Sequence, residues 1–165
     1  VVVAHAATGG KAASLGVLMI AGSLATALSG ATWGKLSDRS SRKALAIAGL
    51  SAGLIGCLTA RVSQIEMDRI VALWIYGLLF FLIGLAHTGI RLGRKTYLVD
   101  HANDDNRARL VAVSNTLMGL VLLMSGSFGL LAETVGQTTV IFVFAVLGIL
   151  GSVLAFQLPE VGEKS

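Results

Sequence analysis

Five long apolar stretches, joined by short polar segments, determine what this chain can fold into. A helix that crosses a bilayer needs about 20 mainly apolar residues. Membrane β-strands are disfavoured because the stretches lack period-2 alternation and because a strand needs only about ten residues. The sequence therefore predicts an all-α integral membrane bundle in a single domain, residues 1–165. The predicted spans are Ser14–Trp33, Ala44–Ala60, Ile70–Ile90, Leu110–Ala132 and Thr138–Leu158.

The composition indicates lipid rather than water as the surroundings of the chain. Of its 165 residues, 55% are hydrophobic and 13% are charged, whereas soluble domains carry roughly 25% charged residues. The net charge of +4 is not a nucleic-acid signature, because the basic residues lie beside apolar spans and no aromatic-plus-basic surface accompanies them. That pattern is typical of membrane topology and contact with anionic lipid. The single cysteine, Cys57, lies in an apolar run and excludes an internal disulfide.

The two ends of the sequence indicate a longer protein. Residues 1–10 lack the basic region and cleavage site of a signal peptide, and we interpret them as the end of a preceding span. Residues 159–165 form a polar tail whose proline directly follows the last span. We therefore expect further spans upstream of this segment.

Lysine and arginine residues predict the orientation of the spans. Because connecting segments alternate between the two sides, ten of the thirteen basic residues fall on one side, leaving Lys11, Arg61 and Arg69 on the other. Basic segments stay in the cytoplasm. We expect a multi-pass protein of the plasma membrane or bacterial inner membrane with a cytoplasmic C-terminus.

Glycines spaced for helix contact occur in three of the spans. A Gly-x-x-x-Gly pair lets two backbones approach closely in lipid, although glycine is also simply common in membrane spans. The pairs are Gly30/Gly34, Gly49/Gly53 and Gly89/Gly93.

The segment between the first two spans reads Gly-Lys-Leu-Ser-Asp-Arg-Ser-Ser-Arg-Lys and is expected to form a tight basic loop. It resembles the loop motif of the major facilitator superfamily, Gly-x-x-x-Asp-Arg-x-Gly-Arg-Arg/Lys, with Ser41 where the family usually has glycine. The matching residues are Gly34, Asp38, Arg39, Arg42 and Lys43. The resemblance implies that they form a conformational gate rather than bind substrate. The alternative is that the basic members only orient the chain and bind lipid phosphate.

A second resemblance covers Arg91–Asp100, Asn106–Arg109 and Val113–Thr116. These residues resemble the connection between the fourth and fifth, or tenth and eleventh, spans of the same superfamily. The resemblance implies half of a twelve-helix secondary transporter that moves a small solute by alternating access and needs no cofactor. We interpret the chain as spans eight to twelve, and spans two to six fit the same residues. The implied partners are the solute, a coupling ion, membrane lipid and the missing half of the same chain.

The third span carries a candidate solute path. If its helix continues past Ile90, a turn of about 100° per residue puts histidine and arginine side chains on one face. Gly89 and Gly93 then lie on the opposite face, where a neighbouring helix can pack. If the helix ends at Ile90, the basic side chains extend to lipid headgroups instead. The candidate residues are His87, Arg91, Arg94, Lys95 and, from the fourth span, Asn115.

Other classes of protein find little support in the sequence. The three histidines, His5, His87 and His101, are too scattered to predict a metal site. No phosphate-binding loop or catalytic serine or cysteine motif is present, so we expect no enzyme activity. A membrane enzyme would need clustered histidine or acidic residues at the bilayer edge. A membrane scaffold or assembly protein is the main alternative, and a cavity lined by His87, Arg91 and Asn115 would favour transport over it.

Overall fold

The computed structural model of the chain describes residue 4 and residues 12–103 and 105–161. The opening segment, predicted to end a preceding span, lies outside these residues except for Ala4, and so do the last four residues of the tail. Five helical stretches within the described residues are long and apolar enough to cross a membrane, which confirms the predicted all-helical membrane fold. The helices are α1 (Ala12–Arg39), α2 (Ser41–Val62), α3 (Arg69–His101), α4 (Arg107–Ser125), α5 (Ser127–Val135) and α6 (Gln137–Gln157).

The predicted loop between the first two spans is wrong, because the helices extend into it from both sides. α1 continues to Arg39 and α2 begins at Ser41, so that only Ser40 leaves the helical conformation. Ser40 has an extended backbone, and its hydroxyl accepts a 3.2 Å hydrogen bond from the backbone N–H of Lys43. This N-cap satisfies one of the free amides at the start of α2. One capped residue is therefore enough to separate the two helices.

The predicted long loop after the third span is also mostly helical. α3 runs for 33 residues and ends at His101, well past the predicted span end at Ile90. At 1.5 Å per residue the helix is about 50 Å long, whereas the hydrocarbon core of a bilayer is about 30 Å thick. α3 is thus long enough to cross the bilayer and extend beyond it. The helix continues past Ile90, which was the condition for its basic residues to share one helical face.

The fourth span is made of two consecutive helices and lies at the edge of the bundle. Gly126 separates α4 from α5, and no described residue of either helix is buried. The rings of Phe128 and Phe144 join α5 to α6, with centroids 4.7 Å apart in an edge-to-face arrangement. Gly136 then adopts a φ of 87°, which favours glycine, and α6 begins at the next residue.

A close helix contact joins α2 to α6 through small residues. A Cβ atom placed on Gly53 would lie 2.5 Å from the side chain of Ile149 and 2.8 Å from the carbonyl oxygen of Ala145. Gly49 lies against Ser152 in the same contact. Because lipid gives helices little hydrophobic reason to associate, such close backbone packing holds them together.

α3 packs against both α1 and α2 through its own glycine pair. A Cβ atom on Gly89 would lie 2.6 Å from the ring of Trp33, and one on Gly93 would lie 2.8 Å from the backbone nitrogen of Leu45. Of the three predicted glycine pairs, those in α2 and α3 lie at helix contacts, as their spacing suggested.

Alternate connections lie at opposite ends of the bundle. At one end, the hydroxyls of Ser63 and Thr138 lie 3.0 Å apart and join the end of α2 to the start of α6. At the other end, the Arg42 side chain donates to the carbonyl oxygen of Leu158, and Arg94 donates to Ser114. We call this second end, where α1, α3 and α6 finish and α2 and α4 begin, the basic end.

Candidate functional site

A set of polar contacts at the basic end ties the start of α2 to the segment that follows α6. Arg42 Nη2 lies 2.6 Å from Glu160 Oε2, and Arg42 Nη1 donates a 3.0 Å hydrogen bond to the carbonyl oxygen of Leu158. The Ser40 hydroxyl donates to the other carboxylate oxygen of Glu160. Tyr97 of α3 adds a 3.3 Å hydrogen bond from its hydroxyl to the carbonyl oxygen of Pro159. We refer to Ser40, Arg42, Tyr97 and Glu160 as the tail clamp.

The tail clamp favours the ionised form of Glu160. The hydrogen bond from Ser40 is the main cause that lowers the pKa of Glu160 below its ordinary value of 4.5, and the charges of Arg42 and Lys43 lower it further. Partial burial acts in the opposite direction and is outweighed. A carboxylate that accepts hydrogen bonds and faces cations keeps its charge to lower pH. Glu160 is therefore an anion across the neutral range.

The tail clamp divides the predicted gate residues into two groups. Arg42 is bonded and half-buried. Asp38, Arg39 and Lys43 are exposed, and no ion pair involves them within the part of the chain that the structure describes. Gly34 lies one turn before Asp38, and a Cβ atom placed on it would meet nothing within 4 Å. The structure thus ties one arginine of the motif to the segment after α6 and leaves the other charged residues exposed.

The predicted path residues of α3 lie on one helical face. His87, Arg91 and Lys95 are all exposed, and they follow one another at intervals of four residues. Gly89 and Gly93 are buried on the other side of the helix. The sequence prediction of a polar face opposite a packed glycine face describes α3 well.

Arg94 and Asn115 differ from the other predicted path residues. Arg94 Nη1 donates a 2.9 Å hydrogen bond to the hydroxyl of Ser114 on α4, so it links two helices. Asn115 is exposed, and no side-chain hydrogen bond joins it to the residues that the structure describes. The structure therefore brings Arg94 together with Ser114 and not with Asn115.

A cavity of about 930 Å³ lies between α2, α3, α5 and α6, in the part of the bundle farther from the basic end. Its wall is mainly apolar and includes Gly53, Phe80 and Phe144, with Tyr76 and Glu133 among its few polar groups. His87, Arg91 and Asn115 do not line it. The cavity that the sequence reasoning named as a mark of transport is thus not formed by these three residues.

Sequence reasoning missed three members of the tail clamp, Ser40, Tyr97 and Glu160. A signal for Ser40 was present, because serine is a preferred N-cap directly before a run that can form a helix. A glutamate directly after the proline that ends the last span was a weaker signal for Glu160. Tyr97 gave no local signal, because its partner lies in a segment distant in sequence.

Comparison with known proteins gives one match that covers almost the whole chain. The family model described as Major Facilitator Superfamily matches residues 2–165. No curated protein and no solved structure matches the chain significantly. The match includes the α1–α2 junction, α3 and the tail clamp.

Proposed function

Since the chain belongs to the Major Facilitator Superfamily, a family of membrane transporters, we propose that its five spans form part of a secondary transporter that moves a small solute by alternating access. In this proposal the basic end faces the cytoplasm, because basic segments remain there. The five spans and a second half of the protein move against each other around a central site. The residues that face that site determine which solute and which coupling ion are bound.

The observation that carries this proposal is the open face of α1 next to the tail clamp. Gly30, Gly34 and Asp38 follow one another at intervals of four residues, and a Cβ atom on either glycine would meet nothing within 4 Å. A face of small residues lets another helix approach closely. Asp38 at its end is an exposed carboxylate that can accept hydrogen bonds from the N-terminus of an approaching helix or pair with an arginine.

The tail clamp supports this gate by holding the start of α2, next to Asp38, in place. The bonds of Ser40 and Arg42 to Glu160 join elements of the same bundle, so they persist while the bundle moves as one body. The contact made by Asp38 forms in one conformation only. A contact of about 1–3 kcal/mol made in one state shifts a two-state equilibrium by roughly 5- to 150-fold.

Replacing Asp38 in the full-length protein, reconstituted in lipid vesicles, tests the proposal. A panel of radiolabelled solutes is first screened for uptake that requires the protein. We then expect Asp38→Asn to lower the uptake rate about tenfold, because a lost charged contact of this size is worth about one decade. Asp100→Asn is the matched control, because Asp100 is an exposed carboxylate at the same end of the bundle.

A conformational measurement separates transport from scaffolding. In a Cys57→Ala background, the reaction rate of Gly30→Cys with a thiol reagent reports how often the open face of α1 is accessible. We expect Asp38→Asn to change this rate and Asp100→Asn to leave it as it is. A folded protein that takes up no solute, and whose Gly30→Cys rate is the same with and without Asp38→Asn, would support the membrane scaffold instead.

A further inference from the structure

The exposed face of α3 is polar and positively charged, and family membership alone does not assign a ligand to it. We propose that His87, Arg91 and Lys95 form a binding path for a small organic anion that carries carboxylate or phosphate groups. This inference rests on the proposed transport function and deepens it by naming the class of solute.

The first argument is uncompensated positive charge. Arg91 and Lys95 are exposed, and the ion pair found within the described residues joins Arg42 to Glu160 instead. Residues four positions apart rise about 6 Å along a helix, so the path presents three polar groups over about 12 Å. A guanidinium matches the geometry of a carboxylate or phosphate and binds it through two parallel hydrogen bonds.

The second argument is depth in the membrane. The apolar part of α3 ends at Ile90, so His87 lies one turn inside it, Arg91 at its limit and Lys95 one turn beyond. Side chains of a helix tilt toward its N-terminus, and the C-terminus of α3 is at the basic end. His87 and Arg91 therefore start out toward the membrane centre, away from the nearest headgroups. Polar groups at that depth face a water-filled path or a partner, because facing lipid is costly.

The third argument is that α1 covers only part of this face. At about 100° per residue, Gly84 lies on the same face of α3 as Arg91. A Cβ atom on Gly84 would lie 2.9 Å from the side chain of Ala25 and 3.2 Å from the carbonyl oxygen of Gly22. α1 thus covers the face at Gly84 and leaves it open at His87. One to two turns inward of His87, Ile83 and Phe80 lie close to the same face and line the apolar cavity, so the path ends next to that cavity.

Arg94 lies next to the path and links α3 to α4. Its hydrogen bond to Ser114 places α4 along one edge of the face and adds a third cation next to Arg91 and Lys95. An anion that enters between α3 and α4 meets Lys95 first and then Arg91, with His87 at the inner end.

Binding of a probe anion to the full-length protein tests the inference. We take citrate as the probe and follow the thermal unfolding of the purified protein in a neutral detergent as citrate is added. We expect a saturable rise in Tm, and we expect Arg91→Gln to raise the half-saturating citrate concentration about tenfold, as for other lost charged hydrogen bonds. Arg109→Gln is the matched control. Arg109 is an exposed arginine at the same end, on the side of α4 about 140° away from Ser114 by helical projection.

Three results overturn the inference. The first is an equal rise in Tm with sodium chloride at matched ionic strength, and the second is an equal citrate response in Arg91→Gln and Arg109→Gln. The third is a stabilisation that depends on Arg91 only in nanodiscs containing phosphatidylglycerol and does not occur with citrate, because the site would then bind lipid headgroups.

The inference and the proposed function fail in different ways. Uptake of neutral solutes by a protein that does not bind citrate would overturn the anion path and leave transport in place. Citrate binding through Arg91 in a protein that transports no solute would retain the site and overturn the proposed function.

Discussion

The hydroxyl of Ser152 on α6 donates a 2.6 Å hydrogen bond to the carbonyl oxygen of Ala46 on α2, and both residues are buried. This bond lies beside the glycine contacts of the same helix pair, where Gly49 faces Ser152. A serine hydroxyl reaches a backbone carbonyl on another helix only where the two helices lie very close together. The α2–α6 contact is therefore a part of the bundle where a change in side-chain volume has a large effect.

Enlarging Gly53 is expected to destabilise the bundle. Even a Cβ atom at this position would lie 2.8 Å from the backbone oxygen of Ala145, so α2 and α6 have to separate to accept Gly53→Leu. Overpacking of this kind costs about 1–3 kcal/mol. We expect a lower Tm in detergent, measured by circular dichroism. Gly151→Leu is the control, because a Cβ atom on Gly151 meets nothing within 4 Å. Equal effects of the two substitutions would contradict the described α2–α6 contact.

The ion pair of the tail clamp predicts a specific pattern of coupling. Arg42 and Glu160 are partly exposed, at 25% and 34% of their side-chain surface, so we expect a coupling free energy of about 0.2–1 kcal/mol. In a double-mutant cycle of Arg42→Gln and Glu160→Gln, the double variant should lose less stability than the two single variants together. The stability of each variant is measured by thermal unfolding. The control is a second cycle in which Lys35→Gln, at an exposed lysine, replaces Arg42→Gln. Additive effects of Arg42→Gln and Glu160→Gln would show that the pair does not form.

Acid is expected to release the tail. The pKa of Glu160 is lowered in the folded protein from 4.5. The stability that ionised Glu160 gives to the tail clamp is therefore complete above pH 4.5 and is lost as pH falls through the lower folded-state pKa. A spin label at Val161→Cys in a Cys57→Ala background reports the motion of the tail. We expect label mobility to rise below pH 4.5 and the Glu160→Gln variant to be mobile at every pH. A tail that remains immobile in Glu160→Gln at neutral pH would contradict the assigned role of the carboxylate.

The fold was largely predictable because lipid restricts the choices. Each apolar run of about 20 residues has to be a helix in a bilayer, since every backbone amide needs a partner within the chain. The boundaries were less predictable, because hydropathy marks where the lipid ends and not where the helix ends. Arg39 and Arg91 are good helix formers, so α1 and α3 continue through residues that hydropathy assigned to loops. One capping residue, Ser40, was sufficient to separate two helices.

The candidate site was only partly predictable, for a different reason. Helical periodicity placed His87 and Arg91 on the face opposite Gly93 because that relation is local to one helix. The bonds of Arg42 to Leu158 and Glu160 join residues far apart in sequence. No spacing rule within one helix reports such a contact. The role of Arg42 as a structural tie, in contrast to the exposed Asp38, required the packed bundle.

The orientation of the bundle gives a prediction that does not depend on the solute. If the basic end faces the cytoplasm, a membrane-impermeant maleimide added to intact cells will not reach Arg39→Cys in a Cys57→Ala background, and permeabilisation will expose it. Ile65→Cys is the matched control, because Ile65 is exposed in the connection between α2 and α3 at the opposite end. We expect it to react in intact cells. The expectation follows from the greater cost of moving basic segments across the membrane. Reaction of Arg39→Cys and protection of Ile65→Cys in intact cells would invert the bundle and place the proposed gate on the outer surface.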